Sequence, residues 1–210
     1  PFAVSCTLVP GEPQATAHTL FQNSIRPIIG NHQGELNLHG SAVAIDNFAV
    51  AFLGQSRRGK TTLAGAFAKA GYPYLTEDVL QVQSAGGNFL LVPHKTDLRV
   101  FPDSASFLSG YRPSEEAGGA KIPIPASASL PFCKDTRQLS HIFILGEGHC
   151  ESIRIAPIGQ AEGIRQLLQQ SFILDVEDQV RLRSHFGRLG GLAASVPCFG
   201  CIHRSASLAT

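Results

Sequence analysis

Residues 54–61 hold the pattern with the clearest chemical meaning in the chain. They read Gly-Gln-Ser-Arg-Arg-Gly-Lys-Thr and match G-x-x-x-x-G-K-[ST] without a gap. In a loop of this pattern, backbone N–H groups and the start of the following helix bind phosphate oxygens, and the glycines let the backbone approach them closely. We therefore predict a triphosphate site, with ATP and Mg²⁺ as cofactors, rather than a chance glycine-rich turn. The predicted nucleotide-binding residues are Gly54, Gln55, Ser56, Arg57, Arg58, Gly59, Lys60, Thr61 and Thr62.

The segments on either side of this loop are the elements that must hold it in place. Residues 48–53 read Phe-Ala-Val-Ala-Phe-Leu, a short apolar run typical of a strand buried on both faces. Residues 61–70 are rich in alanine and predict a helix that ends before Gly71. In this setting Lys60 would place its charge on the β and γ phosphates, and the Thr61 hydroxyl would be a hard oxygen ligand for Mg²⁺.

Two adjacent carboxylates, Glu77 and Asp78, follow shortly after the predicted helix. A carboxylate at such a position can accept the proton of an attacking hydroxyl, and it can also help to hold Mg²⁺. A solvated acidic turn is the alternative interpretation of the same pair. The residues themselves do not decide between the two.

A third feature, His39-Gly40, lies upstream, with His39 fifteen residues before Gly54. The His-Gly pair, the phosphate-binding loop and the segment 71–80, which reads Gly-Tyr-Pro-Tyr-Leu-Thr-Glu-Asp-Val-Leu, together resemble the HPr kinase/phosphorylase superfamily. The resemblance covers residues 36–82. It implies a domain of the HPr kinase-like P-loop fold that transfers the γ-phosphoryl group of ATP to a serine hydroxyl.

The resemblance also implies roles for individual residues. Asp78 falls on the proton acceptor, His39 on the histidine that orients this acid, and Glu77 on the first acidic position. These three and Lys60 are the predicted catalytic residues. Asp97, two residues before Arg99, falls on a further magnesium ligand. The predicted metal ligands are Thr61, Asp78 and Asp97.

The chain departs from the family pattern at several positions. Glu77 replaces the usual aspartate, Arg57-Arg58 replaces a Gly-x pair, and Thr62 stands where bifunctional enzymes have glutamate. The C-terminal signature linked to dephosphorylation is missing, so we expect a kinase without phosphorylase activity. The short chain resembles kinases that phosphorylate the C-terminal serine of lasso-peptide precursors. HPr-type serine kinase activity, a non-catalytic nucleotide-dependent regulator and a generic ATPase remain alternatives, and the resemblance implies a homo-oligomer.

Composition and patterning indicate the fold class. The chain has 210 residues, of which 43% are hydrophobic and 16% charged, which suits one α/β domain over residues 1–210. We expect a mixed sheet and a helical C-terminal end. The lead-in 1–35 is expected to form short strands and turns, and residues 102–138 a mobile loop-rich segment. Strands are predicted at 36–45, 48–53, 74–75, 79–82, 89–92, 98–101, 139–145 and 152–158, with helices at 61–70, 160–174 and 177–194.

The same composition argues against several functional classes. The formal net charge of +1 gives no field that would attract nucleic acid. Since apolar runs fall well short of the roughly 18 to 20 residues of a membrane span, we expect no membrane partner. Residues 1–6 do not resemble a secretory signal, and the odd count of five cysteines argues against a disulfide scaffold. We therefore expect a cytoplasmic protein in which the CxxC at 198–201 holds reduced thiols without a metal or redox role.

Overall fold

The computed structural model describes residues 4–94, 97–110, 121–147, 152–173 and 176–203. In these residues helices and strands form a mixed α/β fold, which confirms the predicted class. The helices are α1 Gln14–Leu20, α2 Arg26–His32, α3 Lys60–Lys69, α4 Pro102–Ser109, α5 Gln160–Gln169 and α6 Gln179–Ser195, and a π-helical segment, Phe21–Ile25, joins α1 to α2. The strands are β1 Leu36–Ile45, β2 Phe48–Leu53, β3 Tyr74–Thr76, β4 Val79–Ala85, β5 Asn88–Val92, β6 Asp97–Val100, β7 Ile122–Pro125, β8 Arg137–Glu147, β9 Arg154–Pro157 and β10 Cys198–His203.

Eight strands form the main sheet, and most of its pairings are antiparallel. The parallel pairs are β2 with β8 and β8 with β10. Strand β1 is long enough to pair with β4 over residues 36–39 and with β3 over residues 42–43 on the same edge. Because β8 pairs with both β2 and β5, the order β1–β2–β8–β5–β4 closes back onto β1. Strands β6 and β7 form a separate two-stranded ribbon.

Both faces of the main sheet are covered, so its central strands are apolar on both sides. In β2, Ala49, Ala51 and Leu53 belong to one buried core, whereas Val50 and Phe52 belong to the other. This is the alternation that a strand imposes on its side chains. Helices α5 and α6 cover the first core, to which α6 contributes Leu189 and Leu192. Helices α3 and α4 cover the second. The continuous apolar run at 48–53 therefore correctly predicted a strand that is buried on both faces.

Small side chains let α3 lie close to its neighbours. Ala64 and Ala68, one turn apart, are buried against the second core. A Cβ added at Gly65 would lie 2.5 Å from a methyl carbon of Leu108 in α4, so the glycine permits the close crossing of these helices. The chain leaves the helix at Gly71, whose φ of 97° is easily adopted only by glycine. The helix predicted at 61–70 is thus confirmed within one residue at each end.

Two sequence-based predictions of local structure are wrong. The lead-in 1–35 contains the helical segments of residues 14–32 instead of strands and turns. Helix α1 has no buried residue, so it lacks the apolar periodicity by which an amphipathic helix is recognised. In the predicted loop segment 102–138, α4 and β7 form, while residues 111–120 lie outside the described part of the chain. The mobility of that segment stays a prediction.

The CxxC lies in β10 and its two thiols point to opposite faces of the sheet. Cys198 is part of the first core, and Cys201 packs against the second. Three steps along a strand span about 10 Å, which exceeds the Cα separation of a disulfide. Neither cysteine forms a disulfide in the structure. Within one chain these two cysteines therefore cannot pair or share a ligand without disrupting the sheet.

The helices of the described ranges were also compared with the requirements of a membrane span. None of those in residues 4–94, 97–110, 121–147, 152–173 and 176–203 is both long and apolar enough to cross a bilayer.

Candidate nucleotide-binding site

The phosphate-binding loop joins β2 to α3, and its glycines are required by its geometry. Gly54 has a φ of 136°, and a Cβ there would lie 2.5 Å from the Leu145 carbonyl oxygen of β8. Only glycine fits this close approach of two backbones. Gly59, with a φ of 84°, turns the chain into the first residue of α3. Arg57 adopts a φ of 64°, which is uncommon for a residue with a Cβ.

The ammonium group of Lys60 lies over this loop. It donates hydrogen bonds to the carbonyl oxygens of Gly54, at 2.8 Å, and Gln55, at 3.0 Å. Burial and, to a smaller extent, the positive charge of Lys121 lower the pKa of Lys60 to about 8, against the opposing effect of two nearby carboxylates. The loop carbonyls therefore hold the positively charged Lys60 side chain at the loop, where its charge suits the binding of a polyphosphate.

A tight turn between β3 and β4 holds the acidic pair. The Val79 amide donates to the Glu77 carbonyl at 2.8 Å, and the Thr76 hydroxyl donates to the Val79 carbonyl at 2.6 Å. Asp78 has a φ of 65° in this turn, a conformation that aspartate tolerates better than most residues. The turn buries Glu77 completely and places Asp78 on the wall of a cavity.

Lys121, which immediately precedes β7, forms ion pairs with both carboxylates. Its Nζ lies 2.7 Å from Asp78 Oδ1 and 3.0 Å from Glu77 Oε1. Burial raises the pKa of Glu77 to about 8, helped by the negative charge of Asp78 and opposed by Lys121. For Asp78, burial acts in the same direction, but Lys121 outweighs it and lowers the pKa. At neutral pH Asp78 is thus the ionised member of the pair.

His39 of β1 lies beside the acidic turn. The amide of the next residue, Gly40, donates to the Asp78 carbonyl at 3.3 Å, and the His39 amide donates to the Gln170 carbonyl at 2.7 Å. Burial lowers the pKa of His39, with a further contribution from the charge of Lys60. A Cβ at Gly40 would lie 2.8 Å from the Phe52 carbonyl oxygen, so glycine allows β1 and β2 to meet closely here.

The π-helical segment contributes a contact that the sequence did not indicate. Asn23 Nδ2 donates to Asp78 Oδ2 at 3.2 Å. Both oxygens of the Asp78 carboxylate therefore accept a hydrogen bond, one from Lys121 and one from Asn23. Short π-helical segments are often found at functional sites, because they place a side chain where a regular helix would not.

The connection from β6 to α4 forms the wall opposite the phosphate-binding loop. The Thr62 and Ser104 hydroxyl oxygens are 2.7 Å apart, which ties α3 to α4. The guanidinium of Arg57 lies over the Phe101 ring, 5.0 Å from its centroid. This geometry suits a cation–π contact. The sequence did not single out Phe101 or Ser104, and the neighbouring Arg99 served only to align Asp97.

These elements enclose one cavity of about 600 Å³. Its lining contains His39, Ser56, Arg57, Gly59, Lys60, Thr61, Thr62, Asp78, Arg99, Val100, Phe101, Pro102, Asp103, Ser104 and Lys121. Most of the predicted site residues therefore meet in one place, although segments as distant in sequence as β1 and α3 supply them. The predicted residues that do not line the cavity are Gly54, Gln55, Arg58, Glu77 and Asp97.

The position of Asp97 differs from the prediction. It is exposed at the start of β6, opposite Pro125 of β7. Residues two apart on a strand share a face but are separated by about 6.6 Å. Arg99 thus lines the cavity, whereas Asp97, two residues earlier in the same strand, does not. Its predicted role as a metal ligand receives no support from the geometry.

The remaining predicted ligands suit magnesium. Mg²⁺ in nucleotide sites usually takes one or two protein oxygens, while phosphate and water oxygens complete its coordination. Thr61 and Asp78 could supply those two oxygens, since both line the cavity. A self-sufficient metal cluster of three or more His, Cys, Asp or Glu side chains is not found in the described residues.

The chain was compared with known proteins. Neither a protein-family model nor a curated protein sequence matches it. Among solved structures it is similar to the HPr(Ser) kinase/phosphatase from Coxiella burnetii, with a TM-score of 0.37 and 10% sequence identity. That match covers 82% of this chain and 87% of the other. A similarity of this size does not establish family membership or function.

Proposed function

We propose that this protein is an ATP-dependent kinase that transfers the γ-phosphoryl group to a hydroxyl acceptor. The observation that supports this most is the meeting, in one cavity, of the phosphate-binding loop with Asp78 and His39. A loop alone would support nucleotide binding and no more. An ionised carboxylate facing it adds the group that a hydroxyl nucleophile needs.

The loop would bind the triphosphate through its backbone amides and the N-terminal end of α3. Lys60 would exchange its hydrogen bonds with the loop carbonyls for contacts with the β and γ phosphates. Thr61 and Asp78 would hold Mg²⁺, which supplies charge neutralisation at the phosphates when bound. Arg57 is placed on the same loop, where it would add a charge-assisted hydrogen bond to phosphate.

In the transfer step, Asp78 would take the proton of the acceptor hydroxyl. The acceptor oxygen forms a bond to the γ phosphorus, the bond from that phosphorus to the β–γ bridging oxygen breaks, and ADP leaves with the electron pair of the broken bond. Asn23 and the backbone of Gly40 hold the Asp78 residue in place, and His39 packs against its turn. Phosphoryl transfer depends mainly on positioning and charge, so this small set of groups suffices.

For the acceptor, we propose a serine hydroxyl of a peptide or protein, with the C-terminal serine of a lasso-peptide precursor as the specific candidate. The motif resemblance over residues 36–82 supports the serine hydroxyl, and the missing dephosphorylation signature together with the helical C-terminal part supports the more specific candidate. A second candidate function, a nucleotide-dependent regulator without transfer activity, is favoured by one observation. Both oxygens of Asp78 accept hydrogen bonds from protein donors. In a regulator these hydrogen bonds would persist, because no acceptor hydroxyl would need the carboxylate.

Incubation with γ-labelled ATP, Mg²⁺ and short peptides ending in serine tests these proposals. Matched peptides ending in alanine are the control. We expect label on the serine peptides alone, no binding or transfer by Lys60→Ala, and ATP binding without transfer by Asp78→Asn. Binding without transfer by the unchanged protein would favour the regulator, and acceptor-independent phosphate release would indicate an ATPase. Normal transfer by Asp78→Asn would overturn the role given to this carboxylate.

A further inference from the structure

We infer that Lys121 binds the terminal phosphoryl group of the nucleotide and acts as a second catalytic cation beside Lys60. This inference rests on the proposed function. Lys121 lies outside every motif of the sequence, yet its ammonium group is 2.7 Å from Asp78 Oδ1 and on the wall of the nucleotide cavity.

The position of the transferred phosphorus follows from the position of Asp78. A hydroxyl that gives its proton to this carboxylate must lie about 2.6–3.2 Å from one of its oxygens. In a reactive arrangement the same hydroxyl oxygen lies about 3–3.5 Å from phosphorus. The phosphoryl group is therefore placed within about 7 Å of the carboxylate that Lys121 already touches. The flexible four-carbon stem of a lysine covers the remaining distance.

The ammonium groups of Lys60 and Lys121 lie at different parts of the cavity wall. The Lys60 ammonium is held by Gly54 and Gln55 at the start of the loop, and that of Lys121 by the acidic turn. Negative charge spreads over the three non-bridging oxygens of the phosphoryl group during transfer. One cation on the loop side and one on the acceptor side would contact that charge from two directions.

A purely structural role would fit Lys121 less well. If it only compensated the buried Glu77, its side chain could be enclosed with that carboxylate. Instead 27% of the Lys121 side chain is accessible, whereas that of Glu77 is not accessible at all. The charged groups that face the Lys121 ammonium are Glu77 and Asp78, with Lys60 and His39 across the cavity. Glu77 thus binds the ammonium group of a lysine whose side chain also remains partly accessible at the wall of the cavity.

Calorimetric binding of ATP and ADP, each with Mg²⁺, distinguishes these roles, because only ATP carries the group that Lys121 would touch. The variants are Lys121→Met and Lys121→Arg. Lys69→Met is the control, since this exposed lysine bonds to the Phe107 carbonyl away from the cavity. We expect Lys121→Met to weaken ATP binding about tenfold or more, the loss typical of a hydrogen bond to a charged group, with ADP binding changed less than about twofold. Transfer should fall about a thousandfold.

Lys121→Arg should regain most of the ATP affinity, which excludes a general folding defect, and Lys69→Met should match the unchanged protein. Equal losses for ATP and ADP in Lys121→Met, or no loss for either, would overturn the inference and leave Lys121 as a structural partner of the acidic pair. If the unchanged protein binds neither nucleotide, the proposed function itself fails. Calorimetry on the unchanged protein alone shows that outcome, before any variant is compared.

Discussion

Replacing Glu77 by glutamine should change how the stability of the protein depends on pH. Glu77 is fully buried, and burial raises its pKa from 4.5 to about 8. Between these two pH values the unfolded chain has lost the proton and the folded chain still holds it. The contribution of Glu77 to stability is therefore complete below pH 4.5 and is lost progressively as the pH rises to 8.

The size of the effect follows from the same pKa values. A rise from 4.5 to about 8 spans about 3.5 pH units, and each unit corresponds to 1.36 kcal/mol, so the loss is on the order of 5 kcal/mol. The glutamine of the variant cannot ionise, although its amide keeps an oxygen for Lys121.

Urea unfolding of both proteins between pH 5 and pH 9, without nucleotide or divalent cation, measures the difference. The free energy of unfolding of Glu77→Gln, relative to the unchanged protein, should rise by several kcal/mol across this range. Asp78, whose pKa is lowered by Lys121, and Lys121, whose pKa is raised by the two carboxylates, titrate outside this pH range. Glu162→Gln is the control, because its hydrogen bond from Arg165 lowers the pKa of this exposed residue to about 2, outside the range tested. A Glu77→Gln difference that stays constant from pH 5 to pH 9 would refute the assignment of a protonated Glu77.

Four further substitutions test the loop, the acid and the core. Gly59→Ala should cost about 1 kcal/mol of unfolding free energy, since its φ is positive but its Cβ would be unobstructed, and Gly54→Ala should cost about 2–4 kcal/mol because of the clash with β8. Equal losses by urea denaturation would contradict this difference. Asn23→Ala should lower the transfer rate about threefold to tenfold and leave ATP affinity unchanged, because it removes one hydrogen bond to Asp78. Leu189→Ala should lower the unfolding free energy by about 2–5 kcal/mol, as expected for a fully buried leucine, and a thermal melt unchanged within error would argue against its place in the first core.

The sequence predicted the centre of the site better than its surroundings. The loop, Lys60 and Asp78 stand within a short stretch whose spacing is fixed by a strand, a turn and a helix. Lys121 and Asn23 lie 43 and 55 residues from Asp78, one directly before β7 of the two-stranded ribbon and the other in the π-helical segment. No spacing rule relates such residues, since tertiary packing alone brings them together.

The errors in local structure have a related cause. Segment 14–32 folds into helices, but α1 buries none of its residues, so periodicity gives no signal. The sequence predicted no strand at residues 198–203, which follow a helical stretch. Parallel pairing with β8 supplies the hydrogen bonds that make this segment a strand. Such non-local pairings override weak local preferences.

The backbone itself distinguishes the candidate site from the rest of the described chain. Three non-glycine residues in the described ranges have positive φ, namely Asp46, Arg57 and Asp78. Asp46 lies in the hairpin turn between β1 and β2, where such a conformation is ordinary, whereas Arg57 and Asp78 line the cavity. Strained residues persist where surrounding contacts enforce them, and they concentrate at functional sites. The strain also determines which variant is informative at Asp78. Alanine would remove the carboxylate and add a conformational cost, whereas asparagine keeps the left-handed preference, so a loss of transfer in Asp78→Asn reports the exchange of the carboxylate for an amide without that cost.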